Sequence, residues 1–214
     1  MTALAVFYGD DVYALDTGIE RYIDGALPAE VRPYNFDILG PEADVDAVLL
    51  AAATLPFAAE RRLTLVKQPA FALEKRPGGH LSAAQKAILA YMDQPNPAHG
   101  LIFRLETEAS CGAFLKALAE QADWHDCRKP KPDALHREAR DRLKAAGKRL
   151  TYDADAVLFQ AARDWTTATL AAELDKVLLY YTDQEELTAA DLNRVLSRTV
   201  PSTCLLYTSD AADD

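Results

Sequence analysis

Cysteine is scarce: Cys111, Cys127 and Cys204 are the three in 214 residues, and no two form a CxxC pair. That excludes a disulfide framework and a zinc knuckle built from cysteine pairs. His125 and Cys127 alternate in DWHDC and could share a strand face, but two ligands without a third and fourth do not make a metal site. Long apolar runs are missing as well. The longest, Ala47–Ala59, is broken by Thr54 and Pro56 and is too short to span a bilayer. The opening MTALAVFYGDD has no basic region ahead of its apolar stretch and no cleavage-like site, so it does not read as a signal peptide. A cytoplasmic protein with no membrane partner is expected.

Phosphate-binding glycine motifs are also absent. A P-loop needs GxxxxGK[ST], because backbone N–H groups cradle the phosphates while the lysine neutralises them. The turn after the first apolar run is Gly9-Asp10-Asp11-Val12-Tyr13, with no lysine and two carboxylates where an anion would sit. Gly147-Lys148-Arg149 lacks the hydroxyl residue, and there is no GxGxxG. A magnesium-dependent phosphoacceptor site would need an aspartate at the end of the third strand, where the chain reads Leu65-Val66-Lys67-Gln68. Asp10-Asp11 is better explained as a helix cap, worth about 1 kcal/mol. Ser82, Ser110, Cys111 and Cys127, with His80, His99, His125 and His136, form no nucleophile elbow or related signature. No catalytic constellation and no cofactor are expected, so an interaction protein is the default.

Half the residues are apolar and 26% are charged, the profile of a globular chain with room for one large or two small domains. The net charge of −10 argues against a surface that wraps nucleic acid throughout. The exception is Arg128–Arg149, with nine Lys or Arg against three acids. It is either a solvated helix face or a surface for DNA phosphates or an acidic partner.

Taken in order, Leu4–Tyr8 reads as a buried strand, followed by a helix burying Leu15, Ile19, Tyr22, Ile23 and Leu27. Val31–Leu39 reads as a second strand, and Asp44 caps a helix carrying Val45, Val48, Leu49 and Ala52. Arg62–Val66 is a third strand and Pro69–Gly79 a loop. Ser82 and Gln85 make a capping box for the next helix. Gly100–Leu105 is a fourth strand, Cys111–Ala122 a helix and Asp123–Cys127 an edge-like fifth strand. This alternation predicts a mostly parallel α/β sheet domain over residues 1–130. Lys129-Pro130-Lys131-Pro132 marks a boundary. Beyond it only helices are expected, over Pro132–Ala146, Ala154–Ala162, Thr166–Tyr181 and Ala189–Ser197, forming a small helical domain over 131–203. Thr188 with Asp191 resembles a capping box.

Between the second helix and the third strand lies Leu55-Pro56-Phe57, followed by Arg61-Arg62. Proline stops a helix because it lacks the N–H and clashes with the preceding turn. Two readings are open here: side chains that fold back into the core, or a rigid apolar anchor for a partner.

With these elements placed, the chain resembles the delta subunit of the bacterial DNA polymerase III clamp loader from its start to about residue 200. The resemblance is carried by Phe7-Tyr8-Gly9-Asp10-Asp11, by Tyr34-Asn35-Phe36-Asp37, and by Leu55-Pro56-Phe57-Ala58-Ala59-Glu60-Arg61-Arg62-Leu63. In the helical part it is carried by Leu174-Asp175-Lys176, Leu178-Leu179-Tyr180 and Leu187-Thr188-Ala189-Ala190-Asp191. It implies a RecA/AAA+-like sheet domain without a P-loop, followed by a helical lid domain. It also implies a non-catalytic subunit that binds the beta sliding clamp and opens one of its interfaces for loading on primed DNA. The family's clamp-contacting element falls on Leu55, Pro56 and Phe57, with Phe57 the firmest correspondence. Arg61, Arg62, Arg137, Arg140 and Lys144 are candidate contacts to DNA or a partner. Gamma/tau and delta-prime subunits are the implied assembly partners. A delta-prime-like subunit is an alternative, but its zinc-binding cysteines are absent; an α/β enzyme with a small-molecule site is another.

The chain departs from the family at its end. Residues 204–214, CLLYTSDAADD, are non-periodic and look like translated sequencing-adapter read-through. The expectation is a non-native tail on a fragment that lacks the family's helical collar domain, so that it engages a clamp but joins the loader subunits poorly.

Overall fold

The computed structural model describes residues 3–197. The chain divides between Lys129 and Pro130 into two compact units. The expected non-native tail lies outside the described residues.

The first unit is built on five parallel strands: β1 (Leu4–Gly9), β2 (Phe36–Leu39), β3 (Arg62–Lys67), β4 (His99–Glu106) and β5 (Asp123–Asp126), in the order β2-β3-β4-β1-β5. Alternation along the strands supplies two cores. Leu4, Val6 and Tyr8 face one side with Val66, Leu101, Phe103 and Leu105; Ala5 and Phe7 face the other with Leu63, Leu65 and Ile102. Each side is covered by helices, as an all-parallel sheet requires. The helix α1 (Val12–Ala26) lays Leu15, Ile19 and Ile23 on the second face. On the first face lie a short turn α4 (Ala70–Leu73) and the helices α3 (Val45–Ala53), α5 (Ala83–Asp93) and α6 (Ala113–Ala119), through Phe71, Val48, Ile88 and Phe114.

Local capping chemistry starts these helices. The Asp11 carboxylate accepts from Ala14 N–H, Asp44 from Ala47 N–H, and Ser82 and Gln85 close a reciprocal box. Three expectations for the first unit are corrected. The strand expected over Val31–Leu39 begins only at Phe36, because Arg32–Asn35 is a one-turn helix, α2. Pro33 has no N–H to give a sheet ladder, and the Asn35 side chain bonds its own turn at Val31 O. The stretch Pro69–Gly79, expected as loop, holds α4 and a 3₁₀ turn at Pro77–Gly79. The helix expected from Cys111 starts at Ala113, with Gly112 as its cap residue.

The second unit contains α7 (Pro132–Ala145), α8 (Tyr152–Ala162), α9 (Thr167–Tyr180) and α10 (Ala189–Val195) around a core that includes Leu135, Leu143, Leu158, Leu174 and Leu192. It is not purely helical. β6 (Arg149–Leu150) and β7 (Glu186–Leu187) pair in parallel, two residues each. Such short strands carry no periodicity to read. Lys148 leads into this pair with its Nζ buried against three carbonyls, those of Tyr181, Thr182 and Gln184, at 2.5, 2.8 and 2.9 Å. The ammonium thus serves the cap carbonyl of α9 at Tyr181, where the helix dipole favours a cation, and two carbonyls of the turn that follows.

Candidate functional site

The segment between α3 and β3 is an eight-residue loop whose ends are pinned. At its start, Thr54 N–H donates to Ala51 O at 3.0 Å and Thr54 Oγ1 to Leu50 O at 3.1 Å, while Asn96 Nδ2 donates to Ala52 O at 3.0 Å. These close the C-terminal carbonyls of α3 that Pro56 keeps the helix from reaching. At its end, Arg62 holds Asp37 through Nε at 2.8 Å and Nη2 at 2.6 Å, and Nη1 donates to Tyr34 O at 2.8 Å.

The middle of the loop hangs on Asn35. Its fully buried carboxamide accepts from Phe57 N–H at 2.7 Å and donates to Phe57 O at 2.9 Å. A side-chain amide here plays the part of a β-ladder neighbour and satisfies both backbone groups of one residue. The next residue, Ala58, takes φ of +49°, a left-handed conformation that costs an alanine about 1–2 kcal/mol. This places the side chains of the knuckle. Leu55 and Phe57 are 72% and 66% exposed, and Pro56 is half-buried. Of the two readings of Leu55-Pro56-Phe57, packing into the core is excluded for Leu55 and Phe57. The Phe57 ring instead lies 6.1 Å from that of Tyr34, tilted by 58°.

Beside Arg62 in the sheet, His99 at the start of β4 is buried and lies 3.1 Å, through Nε2, from Thr64 Oγ1. Burial, and then the positive charge of Arg62, push its pKa down to about 4. It is therefore neutral near pH 7 and adds no charge beside Arg62.

The basic candidates fall in both units. Arg62 is spent on Asp37, and Arg61 has no ion-pair partner among the described residues. In the second unit, Arg137, Arg140 and Lys144 line one depression, with Arg149 and Tyr152 also on its wall. Arg140 reaches Asp155 at 3.3 Å, and His136 lies 3.0 Å from the same carboxylate. Asp133 and Asp141 line the depression too, so its charge is mixed.

At the turn after β1, the two carboxylates are engaged internally. Asp11 caps α1, and Asp10 accepts from Lys129 N–H at 2.9 Å with Lys129 Nζ 3.3 Å away. Gly9 makes room for the crossing chain: a Cβ there would lie 2.1 Å from the carbonyl carbon and oxygen of Cys127. Only two residues separate β1 from α1, which leaves no long glycine-rich loop for phosphate. His125 stacks on Phe7 with centroids 4.2 Å apart, and Cys127 is buried, its thiol pushed up to about 11 by burial and then by the charges of Asp126 and Asp11. Among the described residues no three His, Cys, Asp or Glu are grouped to hold a metal ion, and no helix is long and apolar enough to cross a membrane.

Sequence reasoning singled out Leu55, Pro56 and Phe57, and Asn35 as part of a family-like stretch, but not the bonds by which Asn35 holds the main chain of Phe57. Asn35 and Tyr34 fell inside an expected strand. The available signal was an asparagine between two aromatics, just after a proline: a polar side chain that a buried strand would have to satisfy.

Residues 6–128 match the family model described as DNA polymerase III, delta subunit. The DNA polymerase III subunit delta of Bacillus subtilis (strain 168) is 24% identical over 200 residues, which cover 90% of this chain and 56% of that protein. A solved structure of the Bacillus subtilis DNA clamp loader delta protein superposes with a TM-score of 0.74 at 19% identity, covering 93% of this chain and 59% of that one. A chain of the HORMA:CdnC:Trip13 complex of E. coli MS115-1 gives a TM-score of 0.51 at 15% identity, covering 91% of this chain and 74% of that one. The chain spans little more than half the length of the two Bacillus relatives. The parallel sheet and the helices that follow it are those of the clamp loader delta fold.

Proposed function

The chain belongs to the family of the DNA polymerase III delta subunit, and on that premise we propose that its first unit docks on the beta sliding clamp through Leu55, Pro56 and Phe57. In this reading docking opens one interface of the clamp so that it can be loaded on primed DNA. The observation that carries it is the exposure of Leu55 and Phe57 on a loop whose backbone is fixed at both ends and at its centre. Large apolar side chains held out in water on a rigid bend cost free energy in the isolated chain and regain it in a preformed apolar pocket. The protein has no chemistry of its own in this reading. It serves the DNA-directed DNA polymerase holoenzyme in the cytoplasm, beside gamma/tau and delta-prime subunits, without a cofactor.

The test is a titration of this chain with purified bacterial sliding clamp. Truncating an aromatic anchor costs on the order of 2–4 kcal/mol, so Phe57→Ala weakens binding roughly 30–1,000-fold. A folded Phe57→Ala chain that binds the clamp as tightly as its parent removes the assignment.

The depression bearing Arg137, Arg140 and Lys144 is proposed as a contact to DNA or a partner subunit, with Arg61 a further contact and Arg62 reserved by Asp37. Exposed cations near phosphate give binding that weakens steeply with salt. Replacing Arg137 and Lys144 with alanine lowers that salt dependence if DNA is the partner.

A further inference from the structure

Tyr34 stands beside Phe57 and has no role in the fold that its exposure explains. Tyr34 is 63% exposed, yet its main chain is fixed from two directions. Tyr34 N–H donates to Val31 O at 3.2 Å, and Tyr34 O accepts from Arg62 Nη1 at 2.8 Å. Its hydroxyl has no hydrogen-bond partner among the described residues. The next residue, Asn35, is the one that grips the backbone of Phe57. The two exposed aromatic residues, one in α2 and one in the loop before β3, therefore meet at Asn35, which adjoins Tyr34 in the chain and bonds the main chain of Phe57.

The geometry points to a docking surface of two rings. We propose that Tyr34 is a second anchor for the sliding clamp, and that Asn35 is the positioning residue that presents Tyr34 and Phe57 as a unit. This rests on the clamp-binding reading of Phe57 and extends it. Tyrosine suits the role because it offers a large apolar body, a polar tip and few rotatable bonds to freeze. With both backbones already fixed, the ordering that association normally requires is limited to side-chain torsions. The surface is continuous with the Phe57 anchor, so the occupant is the same folded partner. It would offer an apolar recess wide enough for two rings about 6 Å apart and a polar group for the phenol at its rim.

The experiment measures affinity of the chain for purified sliding clamp by surface plasmon resonance, for Phe57→Ala, Tyr34→Ala, Tyr34→Phe and the double alanine variant, each checked by thermal melting. Asn35→Ala is measured alongside, provided its melt shows a folded chain. Tyr34→Ala is expected to weaken binding about 5–30-fold, Tyr34→Phe by no more than about 3-fold, and the double variant by less than the product of the singles, because the rings touch. Asn35→Ala is expected to weaken binding about 5-fold or more although its side chain is buried. If Phe57→Ala weakens binding at least 30-fold while Tyr34→Ala leaves it unchanged, the two-ring surface is wrong and the single anchor stands. If neither change alters affinity, the clamp reading itself fails and takes this inference with it. A Tyr34→Ala chain that instead loses binding to a single-stranded oligonucleotide, with clamp affinity intact, also overturns the proposal.

Discussion

Asn35 and Phe57, 22 residues apart, meet through two hydrogen bonds in which the carboxamide of one serves both the N–H and the C=O of the other. The bond is sheltered, because Asn35 is fully buried although the Phe57 ring is not. Removing the amide leaves the Phe57 N–H and carbonyl, and the carbonyl of Val31, without their partner. An unsatisfied buried group costs about 1–3 kcal/mol. Asn35→Ala is therefore expected to lower the unfolding free energy by about 1–3 kcal/mol in urea titration. It should also speed proteolysis within residues 54–61, since the loop loses its central tether. A loop equally resistant in both chains would show that Thr54, Asn96 and Arg62 hold it without Asn35.

Gly9 closes the end of β1 by allowing the chain at Cys127 to pass against it. Any Cβ there would stand at 2.1 Å from main-chain atoms, and φ is +154°. Backbone cannot rotate away as a long side chain can, so Gly9→Ala must part β1 from the segment after β5. The hydrogen bonds from Cys127 N–H to Tyr8 O and from Asp11 N–H to Cys127 O would be strained together. Destabilisation of about 3 kcal/mol or more is expected. Melting of Gly9→Ala against the parent chain measures it, and a shift of a degree or less would rule out the clash.

Lys148 tests the second unit in the same way. Its ammonium is the donor to three carbonyls, one at the cap of α9 and two in the turn that follows. Lys148→Met keeps the apolar stem and deletes the charge and its donors. Hydrogen bonds to a charged group contribute about 1.5–3 kcal/mol, part of which water recovers for the carbonyls nearest the surface. A loss of about 2 kcal/mol is expected, with hydrogen exchange raised at the start of β6 and the end of α9. An unchanged exchange pattern would mean the carbonyls find other donors.

How much of this was legible follows from the range of each interaction. The caps at Asp11, Asp44, Ser82 with Gln85 and Thr188 with Asp191 each join residues three apart, so their chemistry can be read in the sequence and the structure reproduces them. The strands β1, β3 and β4 were equally plain, since each contains a short apolar run, whereas β6 and β7, two residues each, left no pattern to read. Val31–Asn35 was misread because Pro33 withholds an N–H from a ladder and the Asn35 amide is spent on Val31 O and on the main chain of Phe57, 22 residues away. The orientation of Phe57 was undecidable from periodicity, because a side chain on a bend has no period. Arg62 counted as a free cation until Asp37 was found beside it, and composition cannot show such pairing.

His99 gives the fold a pH dependence whose sign can be worked out. Its imidazole is buried, and burial followed by the Arg62 charge lowers its pKa from 6.5 to about 4. In the unfolded chain the ring takes a proton as the pH falls through about 6.5, whereas the folded chain resists until about 4. Between those limits the unfolded state binds more protons, so stability falls as the pH falls. Above about pH 6.5 the residue contributes no slope. At about 1.4 kcal/mol per pKa unit, the loss due to this one group is on the order of 3 kcal/mol by pH 4. Replacing it with glutamine (His99→Gln) keeps a polar group near Thr64 and removes the titration. Urea unfolding between pH 4 and pH 8 should show a shallower decline for the variant below about pH 6.5, on top of the carboxylate titrations that both chains share. Parallel curves across that window would mean that His99 titrates normally, and that its pocket beside Thr64 is open to water.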